Sequence, residues 1–422
     1  MRYKFKGLLM TVTVLALVAQ TTFPVFAQQS PTGSIRGVVS DPQGAVIPRA
    51  VVTVTNKATG ASRKVDTGDD GIYLVSTLLP GEYEVKVEAQ GFATLVISTT
   101  VEVGKTSPGD AQLRVGAANE IVDVVSEAPV IDKTNYKIDG VISRQKIDSL
   151  PLNGRNFLQL ALLEPGVSVS VSTPGNANNL FNVSFGGSSA ANTRITVDGG
   201  SVLDFVTGGA AQNFSTETIQ EFQISSFNFD LSTGVTASGA VNIVSRTGTN
   251  DYHGSALFFA RDDAWAAVPT LGRGAPDFRR YQYGGSIGGP IKKDRAFFFG
   301  NVEWLDQDSV FSTVHTGHPA FTQLDNITGS NYDGIVANIR GDFKINDKNN
   351  LFTRYSYDDN DTFGPEAFNT LPSNWRVNTN RDHNIQAGLT TVFNQNLVND
   401  LRFNYQRIKN DSLIPSADDC PP

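Results

Sequence analysis

The chain from residue 250 onward alternates apolar and polar residues with a period of two. Residues 335–345 show the pattern clearly: odd positions are apolar or glycine, and the even positions from 338 are Asn338, Arg340, Asp342 and Lys344. Successive side chains of a β-strand point to opposite faces, so one face of such a strand would meet lipid and the other a watery lumen. The pattern therefore predicts membrane-spanning β-strands.

These alternating segments come in pairs, and a short connection joins the two members of each pair. The connections are residues 346–350, Asn394-Gln395-Asn396 and, earlier in the chain, residues 288–294, which begin with Gly288-Gly289-Pro290. Longer irregular stretches separate the pairs, at 262–278, 305–334 and 359–382. Outer-membrane barrels have short periplasmic turns and long extracellular loops, so we expect about seven antiparallel strands of such a barrel.

The N-terminus has the features of a secretory signal peptide. Arg2, Lys4 and Lys6 precede an apolar stretch at 8–18, and Val25-Phe26-Ala27 supplies small residues for cleavage. This arrangement predicts a signal peptide at 1–27, with cleavage after Ala27. A retained anchor is the alternative, but the apolar stretch is short for a spanning helix.

Residues 33–116 predict a β-sandwich, because short β-branched segments alternate there with Gly, Pro, Asn and Asp turns. The motifs Gly37-Val38-Val39, Gly71-Ile72-Tyr73 and Leu79-Pro80-Gly81-Glu82-Tyr83, with the turn at 41–48, resemble the carboxypeptidase regulatory-like domain, a small immunoglobulin-like sandwich. The resemblance implies no peptidase activity, and turn formation explains the motifs. A carbohydrate-binding or docking role remains open.

Residues 136–249 mix helical and strand patterns with many Gly, Ser and Asn residues. Three blocks follow in order: 141–167 with Asn153-Gly154-Arg155-Asn156-Phe157, 185–200 with Phe185-Gly186-Gly187, and 218–248. They resemble the opening, the glycine turn and the closing strands of the plug of TonB-dependent receptors, of the Oar-like kind. Residues 149–163 have helical spacing of apolar positions, and Asp198-Gly199 fits a tight turn that needs positive φ.

An extended apolar segment lies in the predicted linker, 117–135. It consists of Glu120, Ile121, Val122, Asp123, Val124, Val125 and Ser126. A segment of this kind can add itself to an exposed sheet edge of another protein. In the receptor family a short segment before the plug binds the periplasmic domain of TonB in this way, and residues 120–126 resemble it in position and character. The alternatives are the last strand of the sandwich or a plain linker.

The composition limits the kinds of binding and catalytic site that the chain is expected to form. The formal net charge is -8 and the basic residues are scattered, which argues against nucleic-acid binding. Cys420 is the only cysteine, so neither an intramolecular disulfide nor a cysteine-based zinc site is expected. His315 and His318 have loose metal spacing but are expected in a solvated loop. Residues 358–361 with Gly364 lack the spacing of a calcium-binding loop and fit a polar extracellular loop. We expect no cofactor, metal or catalytic site.

The fold class predicted is mainly β: a signal peptide, an immunoglobulin-like sandwich, an α+β plug at 136–249, and the first strands of an antiparallel transmembrane barrel at 250–422. An odd number of strands would leave one edge bare in lipid. We therefore expect residues 412–422 to be the cut end of an incomplete barrel, and the chain alone is not expected to make a working transporter.

The resemblance implies an outer-membrane receptor that binds an extracellular substrate, such as a siderophore, glycan or peptide. TonB would energise uptake, the barrel would meet outer-membrane lipid, and the N-terminal domain would lie in the periplasm. One alternative is a surface-binding or adhesion protein of the same architecture without active transport. An exported carbohydrate-active enzyme is a further alternative, and the lack of paired catalytic carboxylates in a separate domain counts against it.

Overall fold

A computed structural model describes most of the chain between residues 31 and 414. The described residues are 31–116, 121–125, 139–150, 152, 155–171, 181–204, 209–226, 236–265, 278–312, 327–365, 375–394 and 397–414. The predicted signal peptide, Glu120, Ser126, the pair His315 and His318, and Cys420 lie outside the described residues. Within these ranges, no helix has both the length and the apolar composition needed to cross a membrane.

The N-terminal unit is a sandwich of two sheets. One sheet has the order β4-β1-β7, with β8 also pairing β1, and the other has the order β3-β2-β5-β6-β9. Alternate residues of the longer strands, such as Ile35, Val52 and Val85, face the space between the sheets, and their apolar side chains form the core. The strands are β1 (Gly33–Ser40), β2 (Val51–Asn56), β3 (Ser62–Asp66), β4 (Ile72–Leu78), β5 (Gly81–Glu88), β6 (Thr94–Val101), β7 (Thr106–Pro108), β8 (Ala111–Gln112) and β9 (Ile121–Val125).

The second unit, which we call the plug, is built on a sheet of order β10-β15-β16-β13-β14, in which β13 and β16 run parallel. The hairpin of β11 and β12 packs beside it. Its elements are β10 (Asp139–Ser143), α1 (Arg144–Ser149), a 3-10 helix (Phe157–Leu163), β11 (Val167–Val171), β12 (Phe181–Phe185), β13 (Thr193–Val197), β14 (Gly200–Ser201), β15 (Ile219–Ser226) and β16 (Gly239–Ser245), with 3-10 turns at Ala190–Asn192 and Thr216–Thr218.

The predicted helical pattern at 149–163 is only partly correct. The α-helix ends at Ser149, and a separate 3-10 helix starts at Phe157 after Asn156 accepts a hydrogen bond from the Leu158 N–H. Arg155 has a φ of 52°, which interrupts a right-handed helix between the two. Leu163 was expected on the buried face but is 47% exposed, because the 3-10 helix has a tighter period than an α-helix.

The third unit is a sheet of seven consecutive antiparallel strands, as the alternation predicted. The strands are β17 (His253–Asp262), β18 (Phe278–Lys292), β19 (Ala296–Ser312), β20 (Ile327–Asn346), β21 (Asn349–Pro365), β22 (Trp375–Asn394) and β23 (Leu397–Leu413), with a 3-10 turn at Asp263–Trp265. We call this sheet the barrel wall.

Several strands of the barrel wall extend into segments that were predicted to be connections. Gly288, Gly289 and Pro290 pair with β19 inside β18, and the turn follows them at Asp294, which has a φ of 62°. A side chain at Gly289 would meet the Tyr252 ring, so glycine lets that ring pack across the strand. Likewise, residues 358–361 belong to β21 rather than to a loop. Glycine and proline are typical of turns, which explains the first error, and polar strand residues that face a protein interior resemble loop residues in composition, which explains the second.

Candidate functional site: the interface between plug and barrel wall

The two faces of the barrel wall differ in chemistry. The face turned away from the plug exposes large apolar side chains, including Phe258, Ile287, Ile339 and Leu401. The face turned toward the plug buries almost only polar side chains, among them Glu303, Asn338, Arg340, Ser356, Asn384 and Gln386. The plug is therefore held by hydrogen bonds and ion pairs rather than by an apolar core.

Asp198 lies at the centre of this interface. It sits in the tight turn after β13 with a φ of 50°, and Gly199 follows with a φ of 83°, as the Asp-Gly motif predicted. The Asp198 carboxylate accepts hydrogen bonds from the Ser245 N–H at 2.9 Å and the Ser245 hydroxyl at 2.7 Å. Its side chain is 1% exposed, so it needs charged partners in addition to these neutral donors.

The barrel wall supplies those partners from separate strands. Arg340 of β20 lies 3.1 Å from Asp198 Oδ1, and Arg354 of β21 lies 2.9 Å from Oδ2. Gln386 and Arg402 donate to the Asp198 carbonyl oxygen at 2.7 Å and 2.6 Å. Burial opposes ionisation of Asp198, but the two arginines and Ser245 outweigh it and hold the pKa of Asp198 below its usual range. One turn of the plug thus engages four strands of the wall.

Glu217 forms a second charged centre, between the start and the end of the plug. Arg155 lies 3.0 Å from Glu217 Oε1, Arg144 lies 3.4 Å from the same atom, and Arg246 lies 3.4 Å from Oε2. Ser255 of β17 donates to Glu217 Oε2 at 3.0 Å. Burial opposes ionisation here too, but Arg144, Ser255, Arg155 and Arg246 together lower the pKa of Glu217. Glu217 therefore fastens the plug to the first strand of the wall.

Glu221 connects the plug to the sandwich. It is buried, and its Oε2 accepts a hydrogen bond of 2.8 Å from the Val103 N–H, at the end of β6. The pKa of Glu221 is raised to about 7, chiefly by burial; the Val103 hydrogen bond opposes the shift, Glu102 adds to it and Lys105 opposes it. A second contact joins the units, because the Asn250 N–H donates to the Ala58 carbonyl at 2.9 Å. The sandwich is therefore docked on the plug through a titratable group.

The raised pKa of Glu221 predicts a pH dependence of stability. The folded chain holds this proton more tightly than the unfolded chain, so stability falls as pH rises from about 4.3 to about 7 and changes little above that. The upper limit of the fall is about 4 kcal/mol. Denaturation midpoints across this pH range should show the slope, and Glu221→Gln should remove it. Glu84→Gln, on an exposed carboxylate, is the matched control; an unchanged slope in Glu221→Gln would contradict the assignment.

The structure describes the central part of the segment predicted to bind TonB. Ile121–Val125 forms β9, which pairs in parallel with β6 at one edge of the sandwich, with Thr94 opposite Ile121 and Ser98 opposite Val125. This arrangement matches one of the alternatives, in which the segment is the last strand of the sandwich. TonB binding by residues 120–126 stays a prediction. The segment is remote in sequence from Asp198, and the linker 126–138 outside the described residues separates it from the plug.

Sequence reasoning identified the Asp198 turn but missed its charge partners. Arg340 was recognised as a residue of the polar, lumen-facing row, whereas Arg354 was not singled out. Glu217 was missed entirely, although it stands between two recognised plug blocks. Spacing in the sequence does not distinguish a buried charge from a surface charge. The partners of Asp198 become its neighbours only when three strands that are distant in sequence pack together.

Two domain families match the chain. The carboxypeptidase regulatory-like domain matches residues 34–114, and the outer membrane beta barrel domain matches residues 244–331 and 315–419. The chain is therefore an outer-membrane β-barrel protein that carries a carboxypeptidase regulatory-like domain. It is related to the TonB-dependent transporter Oar of Myxococcus xanthus, with 28% identity over 295 residues, which is 65% of this chain and 26% of the relative. The chain thus spans about a quarter of that relative's length.

Solved outer-membrane proteins are similar in structure. The transporter YddB from Escherichia coli has 13% identity and a TM-score of 0.48, over 60% of this chain and 37% of that one. The ferric enterobactin receptor PfeA from Pseudomonas aeruginosa, in complex with BCV-L6, has 11% identity and a TM-score of 0.48, over 67% and 44%. The relative from Myxococcus xanthus is named as a transporter.

Proposed function

We propose that the protein takes up an extracellular substrate through the outer membrane, and that force from TonB on residues 120–126 moves the plug. The observation that carries the proposal is the polar interface between plug and wall. Ion pairs and hydrogen bonds can be exchanged for water when the two parts separate, whereas a continuous apolar core would resist separation. An interface of this kind suits a gate that opens and closes again.

The extended segment supports the energising step. An edge strand presents one row of backbone donors and acceptors to a further strand, and this is the requirement for recognition by strand addition. TonB would bind either the free edge of β9 or the segment after it leaves β6. The relation to a transporter named as TonB-dependent supports the same partner. The substrate class stays open among siderophores, glycans and peptides.

The test is energised uptake by the full-length product of the gene. Deletion of 121–125 should reduce uptake to the background of a strain without TonB, while binding of substrate at the cell surface stays unchanged. Val122→Pro should act like the deletion, because proline lacks the N–H that strand addition needs. Val122→Thr keeps a β-branched residue and should transport normally. Uptake that survives both changes would favour the alternative, a surface-binding or adhesion protein.

A further inference from the structure

Two buried carboxylates face each other across neighbouring strands of the barrel wall. Asp358 of β21 and Asp382 of β22 are directly opposed in the antiparallel register, and each is 0% exposed. Opposed side chains on one face of such a pair have Cβ atoms about 4.5–5.5 Å apart. Two like charges at this distance in a buried site strongly oppose each other's ionisation, so both carboxylates can be ionised together only beside a compensating group.

The neighbouring side chains do not supply one. Asp358 accepts hydrogen bonds from the Asn213 N–H at 2.7 Å, the Asn213 amide at 3.2 Å and the Asn360 amide at 3.0 Å. Asp382 accepts one from the Asn380 amide at 3.3 Å. All of these donors are neutral. Across the part of the chain that the structure describes, no Arg, Lys or His side chain forms an ion pair with either carboxylate.

The arginine on the same face of β21 is already engaged. Arg354 binds Asp198 at 2.9 Å and donates to Asn384 and Gln386 at 3.0 Å and 2.8 Å. Arg381 forms its ion pair with Asp359 on the opposite, outward face. Neither arginine is therefore available to neutralise the Asp358 and Asp382 pair.

Oxygen atoms without donors surround the pair. Asn360 and Asn380 are directly opposed, two residues along each strand from the aspartates, and each is 1% exposed. The Oδ1 atoms of Asn360, Asn380 and Asp382 have no hydrogen-bond donor. Buried polar atoms are almost always paired, so this group of acceptors beside two carboxylates has the capacity to bind a further donor or a cation.

We propose that Asp358, Asp382, Asn360 and Asn380 form a binding site for Ca²⁺. Calcium accepts six to eight oxygen ligands from carboxylates and amide carbonyls in flexible geometry, and water can fill the remaining positions. Magnesium requires a stricter octahedron and keeps more of its water, and zinc prefers nitrogen or sulfur ligands. The proposed ligands include only two carboxylates, and amide oxygens supply the rest. Within the described ranges, no group of three or more His, Cys, Asp and Glu residues is placed to hold a metal.

The site also touches the plug. Asn213, which donates twice to Asp358, belongs to the plug segment between β14 and β15. Calcium bound between β21 and β22 fixes the Asp358 carboxylate that receives those hydrogen bonds. The cation therefore stabilises the docking of this plug segment on the wall as well as the pairing of the two strands.

The test is Ca²⁺ binding by the purified chain in detergent, measured by calorimetry and by thermal denaturation with and without a chelator. We expect one Ca²⁺ per chain, with a dissociation constant of about 10⁻⁴–10⁻³ M. Millimolar Ca²⁺ should raise the denaturation midpoint by several degrees, and the same concentration of Mg²⁺ should raise it much less. Absence of a Ca²⁺ shift, or an equal shift with Mg²⁺, would overturn the proposal.

The variants separate calcium binding from simple packing. Asp382→Asn preserves side-chain shape and removes one of the two like charges, so it should raise the midpoint in chelator and abolish the Ca²⁺ shift. Asn380→Ala leaves the charge unchanged and should weaken Ca²⁺ binding at least several-fold. Asp361→Asn is the matched control, because Asp361 lies on the outward face of the same strand and its loss should leave Ca²⁺ binding intact. A full Ca²⁺ shift in Asp382→Asn would contradict the site.

Discussion

Replacement of Asp198 by alanine is expected to destabilise the folded chain by about 3–5 kcal/mol, because it leaves buried guanidinium groups without their shared anion. Arg354 would keep only the neutral oxygens of Asn384 and Gln386, whereas Arg340 would keep Asp342. The loss should be visible as a lower midpoint of chemical denaturation in detergent. It should also appear as faster proteolysis of the plug while the wall strands stay protected.

A double-mutant cycle distinguishes a lost ion pair from a lost side chain. Asp198→Asn and Arg354→Met should each lower the free energy of unfolding. The double variant should lower it by less than the sum of the two single changes, because neither the Asp198 nor the Arg354 charge is then left without the other. Asp148→Asn is the matched control. Asp148 pairs with Arg144 but its side chain is 56% exposed, so its removal should cost at most about 1 kcal/mol. Additive effects in the cycle would contradict direct coupling across the interface.

Replacement of Glu217 by alanine is the second large expected effect. It would leave Arg144, Arg155 and Arg246 without the carboxylate that they share, and Ser255 would lose its acceptor. We expect a loss of about 2 kcal/mol or more, since hydrogen bonds to charged groups contribute roughly 1.5–3 kcal/mol each and are not additive. Chemical denaturation of the purified chain measures it directly.

The pH dependence gives Glu217 a second signature. Its pKa is held below the usual range, so its contribution to stability is present at neutral pH and is lost as pH falls below about 4.3 toward the folded-state value. Glu217→Ala should flatten the acid limb of the stability profile. Glu88→Gln is a suitable control, because Glu88 forms only an exposed ion pair with Lys86. An acid limb that is the same in Glu217→Ala and the parent chain would contradict the assignment.

Much of the architecture could be predicted from the sequence, because the barrel and sandwich patterns depend on local periodicity. The alternation around Arg340 predicted both the strand and the inward direction of its polar side chains, since a period of two requires no knowledge of the neighbours. The Asp198 turn could also be predicted from local sequence, because a turn with positive φ at two consecutive residues favours the sequence Asp-Gly.

The rest depended on contacts that spacing does not encode. Residues 358–361 have the composition of a loop, and only the register between β21 and β22 shows that Asp358 and Asn360 face Asp382 and Asn380. Glu217 collects arginines from positions 144, 155 and 246, which no local pattern connects. The helical pattern breaks at Arg155, which has positive φ and pairs with Glu217, and spacing indicates neither feature.

If the plug moves against the wall during uptake, a reversible tether between the two should block transport. The Thr218 hydroxyl of the plug donates to Asn301 Oδ1 of β19 at 2.9 Å, so Thr218→Cys with Asn301→Cys can be joined by a short reducible cross-linker. Cys420→Ser removes the native cysteine of this sequence. We expect the cross-link to stop uptake and to leave surface binding unchanged. Reduction of the cross-link should restore uptake, and Thr218→Cys alone should take up substrate normally. Undiminished uptake by the cross-linked protein would contradict the account.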